Sequence, residues 1–288
     1  MQNLYDETKY LMKKYNIFAN KNLGQNFLID SSVVEAIIDA SEINKEDLII
    51  EIGPGLGTLT NILLQKAGKV IAVELDKRMV QILNDRFDMY TNFEIINEDI
   101  LKLNLNDIII KEKTNNKIKN VKVVANLPYY ITTPIIMNLL ESQLNLDSII
   151  IMIQKEVADR IVANPGSKLS GAITYAVHYY SKPESIKIVP NSSFIPAPKV
   201  DSEVIKLQIR KNPEVDVKNK ALFFNIIKAS FMQRRKTLAN ALLNSKLFQS
   251  KEEIKQLLEE SNLDKNIRGE KLSLQDFANL SNMINNKK

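Results

Sequence analysis

The residues that follow one short β-rich run have the types needed to hold a flat aromatic amine. Asn126, Leu127, Pro128 and Tyr129 come directly after Val121–Ala125. The side-chain oxygen of Asn126 and the backbone carbonyl of Leu127 are hydrogen-bond acceptors, and the Tyr129 ring offers a face on which a base can stack. Two acceptors on the N–H bonds of an aromatic amine shift electron density onto its nitrogen. The pattern predicts a site that activates such an amine; the alternative is a proline-terminated strand whose tyrosines only pack.

A glycine-rich segment follows another β-rich run, Leu48–Ile52. Gly53, Gly55 and Gly57 have the spacing G-x-G-x-G, one residue shorter than the dinucleotide pattern G-x-G-x-x-G. Glycines allow a tight turn and let a ligand approach the backbone. Glu74 ends the next run, where a carboxylate can accept both hydroxyls of a ribose. The segment predicts a nucleoside site rather than a pyrophosphate site, and the alternative is a turn that only packs a strand against a helix.

Asp99 follows the third β-rich run, Phe93–Asn97. The ends of parallel strands in an open sheet lie over the same crevice, so a carboxylate here can accept a hydrogen bond from the amino group of an adenine. By itself Asp99 is equally well explained as a helix cap or a turn residue.

The elements that must position these residues alternate between Asp47 and Arg210. Short apolar runs alternate there with helix-length segments such as Leu59–Lys66 and Lys77–Phe87, which predicts an α/β fold with a largely parallel sheet. The connection Pro190–Lys199 has no helical pattern, so we expect the last two strands to form an antiparallel pair. The predicted strands are Leu48–Ile52, Val70–Glu74, Phe93–Asn97, Val121–Ala125, Ser148–Ile153, Ser185–Val189 and Glu203–Ile209.

After Asn212 and Pro213 the pattern becomes wholly helical, which predicts a small all-helical C-terminal domain. The boundary between the two domains is expected between residues 211 and 212. The segment Lys111–Asn120 is expected to be a polar surface loop. The predicted C-terminal helices are Lys220–Ser230, Arg235–Leu243, Lys251–Glu259 and Leu274–Ile284.

The composition excludes several kinds of chemistry. The chain has no cysteine and one histidine, His178, so thiolate nucleophiles, disulfide scaffolds and most transition-metal sites are excluded, and we expect no metal. The longest apolar run, Ile149–Ile153, is far shorter than the ~20 residues of a membrane-spanning helix. These features predict a soluble, cytoplasmic protein without a membrane partner.

Positive charge is concentrated in one part of the chain. The 288 residues contain 39 lysines and arginines and 34 acidic residues, a net charge of +5. The segment Lys199–Lys246 alone has eleven basic and four acidic residues, so the remainder is slightly acidic. A clustered basic surface is typical of nucleic-acid binding, although it also describes an ordinary solvated helix face.

Taken in order along the chain, these motifs resemble those of the ribosomal RNA adenine N6-dimethyltransferase family, and most closely its small-subunit (16S) branch. The resemblance runs from Asn22 to the helical tail. It implies a Rossmann-like class I methyltransferase sheet and S-adenosyl-L-methionine as cofactor. The strings that carry it are LGQNFL (Leu23–Leu28), Glu51–Gly57, Glu74, Glu98-Asp99, NLPYYITTP (Asn126–Pro134), FIPAPKVDS (Phe194–Ser202) and FMQRRKTLANAL (Phe231–Leu242).

The resemblance also implies which residues hold the cofactor. An N-terminal segment closes over its methionine end, the glycines cradle it, Glu74 binds the ribose, and Asp99 with Ile100 contacts the adenine ring. Asn126 faces the cofactor and the target amine together. The implied cofactor residues are Gln25, Asn26, Leu28, Gly53, Gly55, Gly57, Glu74, Asp99, Ile100 and Asn126.

The implied catalytic residues surround the target base. Tyr129 and Phe194 resemble an aromatic pair that sandwiches an adenine, although Phe194 precedes two prolines and is as well explained as the anchor of a rigid loop. The catalytic set is Asn126, Leu127, Pro128, Tyr129 and Phe194. The residues implied to bind RNA are Lys199, Arg234, Arg235 and Lys236, for which a solvated basic turn is the alternative.

The function implied is dimethylation of two adjacent adenines near the 3′ end of 16S ribosomal RNA in the small subunit or its precursor, by a monomer that acts in ribosome biogenesis. In this division residues 1–211 bind the cofactor and residues 212–288 bind RNA. One alternative is an antibiotic-resistance enzyme that methylates large-subunit (23S) RNA; Leu127 and the strings at Phe194–Ser202 and Gln233–Leu238 favour the small subunit. Another is a non-enzymatic assembly factor, against which the complete set of site residues argues. A nicotinamide-dependent dehydrogenase fails on the glycine spacing.

Overall fold

The computed structural model describes residues 3–20, 23–115, 118–142, 144–245, 248 and 250–287. Three points of the sequence analysis fall on other residues. Asn22, Lys246 and residues 116–117 of the expected loop lie outside the described part of the chain.

The described residues form helices and short strands that alternate through the first two thirds of the chain. The helices are α1 (Leu4–Lys14), α2 (Ser31–Ser41), α3 (Thr58–Lys66), α4 (Lys77–Phe87), α5 (Leu105–Asn115), α6 (Thr132–Glu141), α7 (Lys155–Val162), α8 (Ala172–Tyr180), α9 (Lys220–Met232), α10 (Leu238–Asn244), α11 (Lys251–Glu260) and α12 (Leu274–Lys287). The strands are β1 (Phe27–Leu28), β2 (Asp47–Ile52), β3 (Lys69–Val73), β4 (Phe93–Ile96), β5 (Asn120–Asn126), β6 (Ser148–Gln154), β7 (Ser181–Val189), β8 (Phe194–Ile195) and β9 (Ser202–Ile209).

Seven of these strands form one sheet in the order β4-β3-β2-β5-β6-β9-β7. The pairs from β4 to β6 are parallel, and β9 runs antiparallel to β6. β7 and β9 are neighbours at one edge, as the helix-free connection predicts. That connection also contains β8, which pairs with β1 in a separate two-stranded sheet that the sequence pattern does not predict.

The central strands are largely apolar because both faces of a parallel sheet are covered. All six residues of β2 and six of the seven in β6 are buried. Helices pack on the sheet through one apolar face: in α4, Met79, Ile82, Leu83 and Phe87 recur at helical spacing and are buried. Asp76 begins this helix by accepting a hydrogen bond from the Arg78 N–H at 3.0 Å.

Most predicted elements are confirmed within a few residues, and two predictions are wrong. Lys111–Asn120 is not a loop over its first half, because α5 continues to Asn115. The helix predicted from Arg235 begins only at Leu238, because Thr237 caps it and the preceding residues form a turn.

The chain divides into two compact units, each of which is made of two separate segments of the sequence. Unit 1 comprises Met1–Ala158 and Glu184–Ile209, and unit 2 comprises Asp159–Pro183 and Arg210–Lys288. The later boundary lies close to the expected one, but residues 159–183 belong with the helical unit. The reason is that Tyr175 is fully buried in the helical core, where its ring meets that of Phe277 edge to face. No helix in the described part of the chain is long and apolar enough to span a bilayer.

Candidate active site

A cavity lies at the carboxyl ends of the parallel strands in unit 1. The strand order reverses between β2 and β5, and crevices at such a reversal are where open α/β sheets bind ligands. The cavity measures about 1120 Å³ including its solvent-filled mouth, which is ample for a nucleoside-sized ligand. Its wall comes from the segments after β2, β3, β4 and β5 and from the N-terminal segment before β1.

Two of the three predicted glycines line this cavity, and the third does not. Gly53 and Gly55 have φ angles of +67° and +58°, a region that favours glycine, and both border the cavity. Gly57 lies behind the wall, where a Cβ would come within 2.7 Å of Phe87 Cε2. Its lack of a side chain serves the packing of α3 against α4, and its placement in the cofactor cradle stays a prediction.

Glu74 lies in the wall as expected and is held by backbone donors. Gly55 N–H donates to its Oε2 at 3.3 Å and Asp76 N–H donates to its Oε1 at 2.8 Å. The residue is 7% exposed, and burial raises the pKa of its carboxyl. A buried carboxylate with remaining lone pairs is stabilised by further donors, which ribose hydroxyls supply.

Glu51 is a cavity residue that the sequence analysis includes in the glycine motif but does not assign to the site. It is the fifth residue of β2, and its carboxyl accepts a hydrogen bond from Thr60 Oγ1 at 2.7 Å. It is 1% exposed, and burial, with a smaller contribution from nearby Glu74, raises its pKa to about 8. A charged residue inside an otherwise apolar strand was the available signal.

Asp99 and Ile100 lie in the wall at the end of β4. One carboxylate oxygen of Asp99 accepts a hydrogen bond from Leu101 N–H at 3.0 Å, so this side chain also stabilises its own turn. The turn and the ligand role are compatible, because a carboxylate has about four acceptor positions.

Asn126 and Leu127 end β5 beside the glycine loop. Asn126 Nδ2 donates to the backbone oxygen of Asn26 at 3.3 Å, which leaves its amide oxygen as the acceptor for a ligand. Leu127 N–H donates to the Met152 carbonyl at 3.1 Å, so β6 fixes this peptide. The two residues expected to supply the acceptors thus lie next to one another in the cavity wall.

The aromatic residues expected around the base differ in their burial and in their partners. Tyr129 is half-buried in the cavity wall, and its hydroxyl lies 2.5 Å from Ser202 Oγ. Phe194 is 3% exposed, belongs to the apolar core and is paired with Leu28 between β8 and β1. Pairing of the two short strands thus buries the Phe194 ring, and its place beside the target base stays a prediction. Tyr130, 59% exposed at the mouth, is an aromatic wall residue that the site prediction omitted.

The N-terminal segment closes one side of the cavity. Gln25 Nε2 donates to Asp76 Oδ2 at 3.0 Å, and Gln25 Oε1 accepts from Asn20 N–H at 2.8 Å. Asn26 Nδ2 donates to the Gly24 carbonyl at 3.1 Å, and Leu28 is buried at the edge. All three predicted residues of this segment border the cavity.

The predicted RNA-binding residues differ in their surroundings. Lys199 is exposed in the connection after β8, and Arg235 and Lys236 are exposed in the turn after α9. Arg234 is already engaged, since its Nη2 donates to the carbonyls of Lys168 and Ser170 and lies 3.3 Å from Glu270 Oε2.

A family model described as ribosomal RNA adenine dimethylase matches residues 17–286. The chain belongs to this family. A protein named ribosomal RNA small subunit methyltransferase A from Alkaliphilus metalliredigens is 48% identical over 278 residues, 96% of each chain. The protein of the same name from Clostridioides difficile is 47% identical over 283 residues, 98% of this chain and 96% of the relative.

Solved structures agree with the fold. A dimethyladenosine transferase from Plasmodium falciparum superposes with a TM-score of 0.76 at 28% identity, covering 91% of this chain and 98% of the other. A 23S rRNA methyltransferase, ErmE, superposes with a TM-score of 0.67 at 22% identity, covering 88% and 98%. The second likeness concerns the fold alone.

Proposed function

We propose that this chain is an S-adenosylmethionine-dependent enzyme that dimethylates N6 of two adjacent adenines near the 3′ end of small-subunit ribosomal RNA. The observation that carries the proposal is the pair of acceptors, Asn126 and Leu127, in the wall of the same cavity as Glu74 and Asp99. One end of the cavity suits a nucleoside, and the other suits an aromatic amine.

The residues present fit the cofactor. Gly53 and Gly55 carry no side chain into the cavity, buried Glu74 retains acceptor capacity for ribose hydroxyls, and Asp99 with Ile100 suits the amino edge and face of an adenine. Gln25, Asn26 and Leu28 close the side on which the methionine end is expected. When bound, S-adenosylmethionine supplies a methyl group on a sulfonium, an electrophile that needs no metal.

The chain's own residues act on the amine. Asn126 Oδ1 and the Leu127 carbonyl accept hydrogen bonds from the two N–H groups of the amine. These hydrogen bonds move electron density onto the nitrogen and align its lone pair. Pro128 fixes the backbone direction after these acceptors. The Tyr129 ring supplies one stacking face, and base stacking on an aromatic ring is worth about 1–3 kcal/mol. Neither acceptor takes up a proton, so the proton lost by the amine passes to water.

The same two acceptors accommodate a second transfer. A monomethylated amine keeps one N–H, which either acceptor can hold while the methyl group takes the other position. A site that required both N–H bonds would stop after one methyl group. The arrangement therefore supports dimethylation by a single site.

The substrate is proposed from the near-full-length relatives, whose printed name specifies the small ribosomal subunit. Unit 1 contains the whole cavity, so we assign methyl transfer to it and RNA binding chiefly to unit 2. A monomer is the proposed active species.

The test is transfer of labelled methyl from S-adenosylmethionine to three acceptors: small-subunit particles that lack the modification, naked small-subunit RNA and large-subunit RNA. Nucleosides from each digest are analysed by mass spectrometry. Dimethyladenosine confined to the small-subunit samples is the expected result. Label in large-subunit RNA would move the chain to the resistance branch, and binding without any transfer would support the assembly-factor alternative.

A further inference from the structure

Three segments that are distant in the sequence meet on one surface of unit 2. They are the 164–171 loop, the basic turn at residues 232–236 and the 268–271 turn; together they form what we call the three-segment surface. It contains six basic residues and one acidic residue, Glu270. Only the basic turn is visible as a candidate in the sequence, because the other segments each carry isolated charges.

Arg234 joins the three segments. Its Nη2 donates to the Lys168 carbonyl at 3.0 Å and to the Ser170 carbonyl at 3.2 Å, and it forms an ion pair with Glu270 at 3.3 Å. Glu270 thereby compensates part of the Arg234 charge, whereas Arg235 and Lys236 extend into solvent. Arg234 therefore links the basic turn to the other two segments.

The 268–271 turn approaches α9 very closely. A Cβ on Gly269 would lie 2.7 Å from Ser230 Cβ, so only glycine fits there without a shift. The Glu270 carboxylate reaches Arg234 from this position. Close contact of the two segments thus fixes the place of the ion pair.

The 164–171 loop is held on both sides of its tip. Gly166 N–H donates to Tyr175 Oη at 3.0 Å, and the same hydroxyl donates to the Leu272 carbonyl at 2.6 Å. Ser170 is buried, and its hydroxyl donates to the Ser167 carbonyl at 2.6 Å. Between these anchors, Lys168 and Leu169 extend into solvent.

The tip of this loop has the composition of a polyanion contact. Lys168 places a cation beside the basic turn, while Leu169 is 60% exposed and Met232, at the end of α9, is 73% exposed. An exposed apolar side chain on a firmly held loop loses little conformational entropy on binding. Exposed leucine and methionine side chains among cations suit contact with the sugar and base edges between phosphates.

We propose that the 164–171 loop is an RNA-binding element, in which Lys168 contacts a phosphate and Leu169 packs against the adjoining nucleotide, with Arg234 as the positioning residue that holds the loop beside Arg235 and Lys236. This inference rests on the proposed function for the identity of the RNA. It assigns Arg234 and Arg235 different roles, although they are adjacent and chemically identical.

The first test measures affinity for small-subunit particles that lack the dimethyl groups, as a function of salt concentration. Each phosphate contact contributes about 0.7–0.9 to the slope of log affinity against log salt. Lys168→Ala and Arg235→Ala are each expected to lower the slope by that amount, whereas Leu169→Ala weakens binding at an unchanged slope. Lys182→Ala, which removes an exposed lysine of unit 2 outside the three segments, is the control and leaves both unchanged.

The positioning role of Arg234 is tested with a double variant. If Arg234 holds the loop, the effect of Lys168→Ala on RNA affinity largely disappears in an Arg234→Ala background, whereas the effect of Arg235→Ala persists. Thermal unfolding of Arg234→Ala monitors the stability of unit 2. Additive effects of Lys168→Ala and Arg234→Ala would overturn the positioning role.

Methyl transfer separates this inference from the proposed function. Lys168→Ala is expected to raise KM for the particles and to leave kcat unchanged, because the residues that line the cavity all belong to unit 1 and the loop belongs to unit 2. Wild-type transfer with unaltered binding by Lys168→Ala and Leu169→Ala would overturn the loop's role and leave the proposed function intact. Salt-dependent effects without any transfer by the wild type would retain the RNA surface and overturn the proposed function.

Discussion

The hydroxyl of Tyr129 lies 2.5 Å from Oγ of Ser202, a fully buried residue at the start of β9. Burial raises the pKa of the Tyr129 hydroxyl, so it remains protonated at neutral pH and can take part in this hydrogen bond as a donor. The bond attaches the aromatic wall of the cavity to the antiparallel strand beside β6. Ser202 thus fixes where the Tyr129 ring stands without touching the cavity itself.

Ser202→Ala and Tyr129→Phe are expected to have similar effects, because each removes the same bond and retains the ring. A hydrogen bond of this kind is worth about 0.5–1.5 kcal/mol, so methyl transfer should fall by up to about tenfold. Tyr129→Ala also removes the stacking face and should be more severe. Steady-state kinetics of methyl transfer tests this, with Ser185→Ala as a control. If Ser202→Ala transferred methyl groups at the normal rate while Tyr129→Phe was impaired, the Tyr129 hydroxyl would act on the substrate.

Asn126→Ala should nearly abolish methyl transfer while particle binding is retained, because it removes the amide acceptor from the cavity. Transfer is measured per folded molecule with labelled cofactor, and RNA affinity is measured separately. Asn120→Ala is a matched control at the other end of β5, where the amide donates to Asp47 at 2.8 Å. Retained activity in Asn126→Ala would show that the amine is activated elsewhere.

Glu51 should make the protein less stable as pH rises. Below its ordinary pKa of 4.5 the carboxyl is protonated in both states, and between that value and about 8 only the unfolded chain ionises. The folded state then binds more protons, so the free energy of unfolding falls with pH by up to about 1.4 kcal/mol per unit across this window and levels off above it.

Glu51→Gln should remove this loss and still accept the Thr60 hydrogen bond. Urea unfolding at pH 5, 6, 7 and 8 measures the free energy of unfolding of the variant and of the wild type. The variant should become increasingly more stable than the wild type as pH rises. The control is Glu46→Gln, an exposed position just before β2. Parallel stability curves for Glu51→Gln and the wild type would contradict a raised Glu51 pKa.

Gly57→Ala should destabilise the protein by overpacking and by a strained φ of +86°. Overpacking costs about 1–3 kcal/mol, and the left-handed conformation adds roughly 1 kcal/mol. Gly171→Ala meets nothing within 4 Å and is the matched control. Denaturant unfolding measures the stability. The affinity of the folded fraction for the cofactor should be close to normal. A loss of cofactor affinity without a loss of stability would support the predicted place of Gly57 in the cofactor cradle.

The sequence by itself determined the class of fold, the positions of the main strands along the chain and the family. Apolar runs such as Leu48–Ile52 identify buried strands because hydrophobic pattern is a local property of the chain. The motif Asn126–Tyr129 likewise predicts its chemistry locally, since neighbouring residues contain both acceptors and the ring.

Only the tertiary structure decided how distant residues share these roles. Tyr129 and Ser202 are 73 positions apart, and Arg234 and Lys168 are 66 apart, so neither pair is visible in a local pattern. Gly57 packs closely against α4 and Phe194 is buried because helix and strand partners surround them, which their local motifs do not show. The raised pKa of Glu51 has the same origin, since burial depends on every element that covers β2.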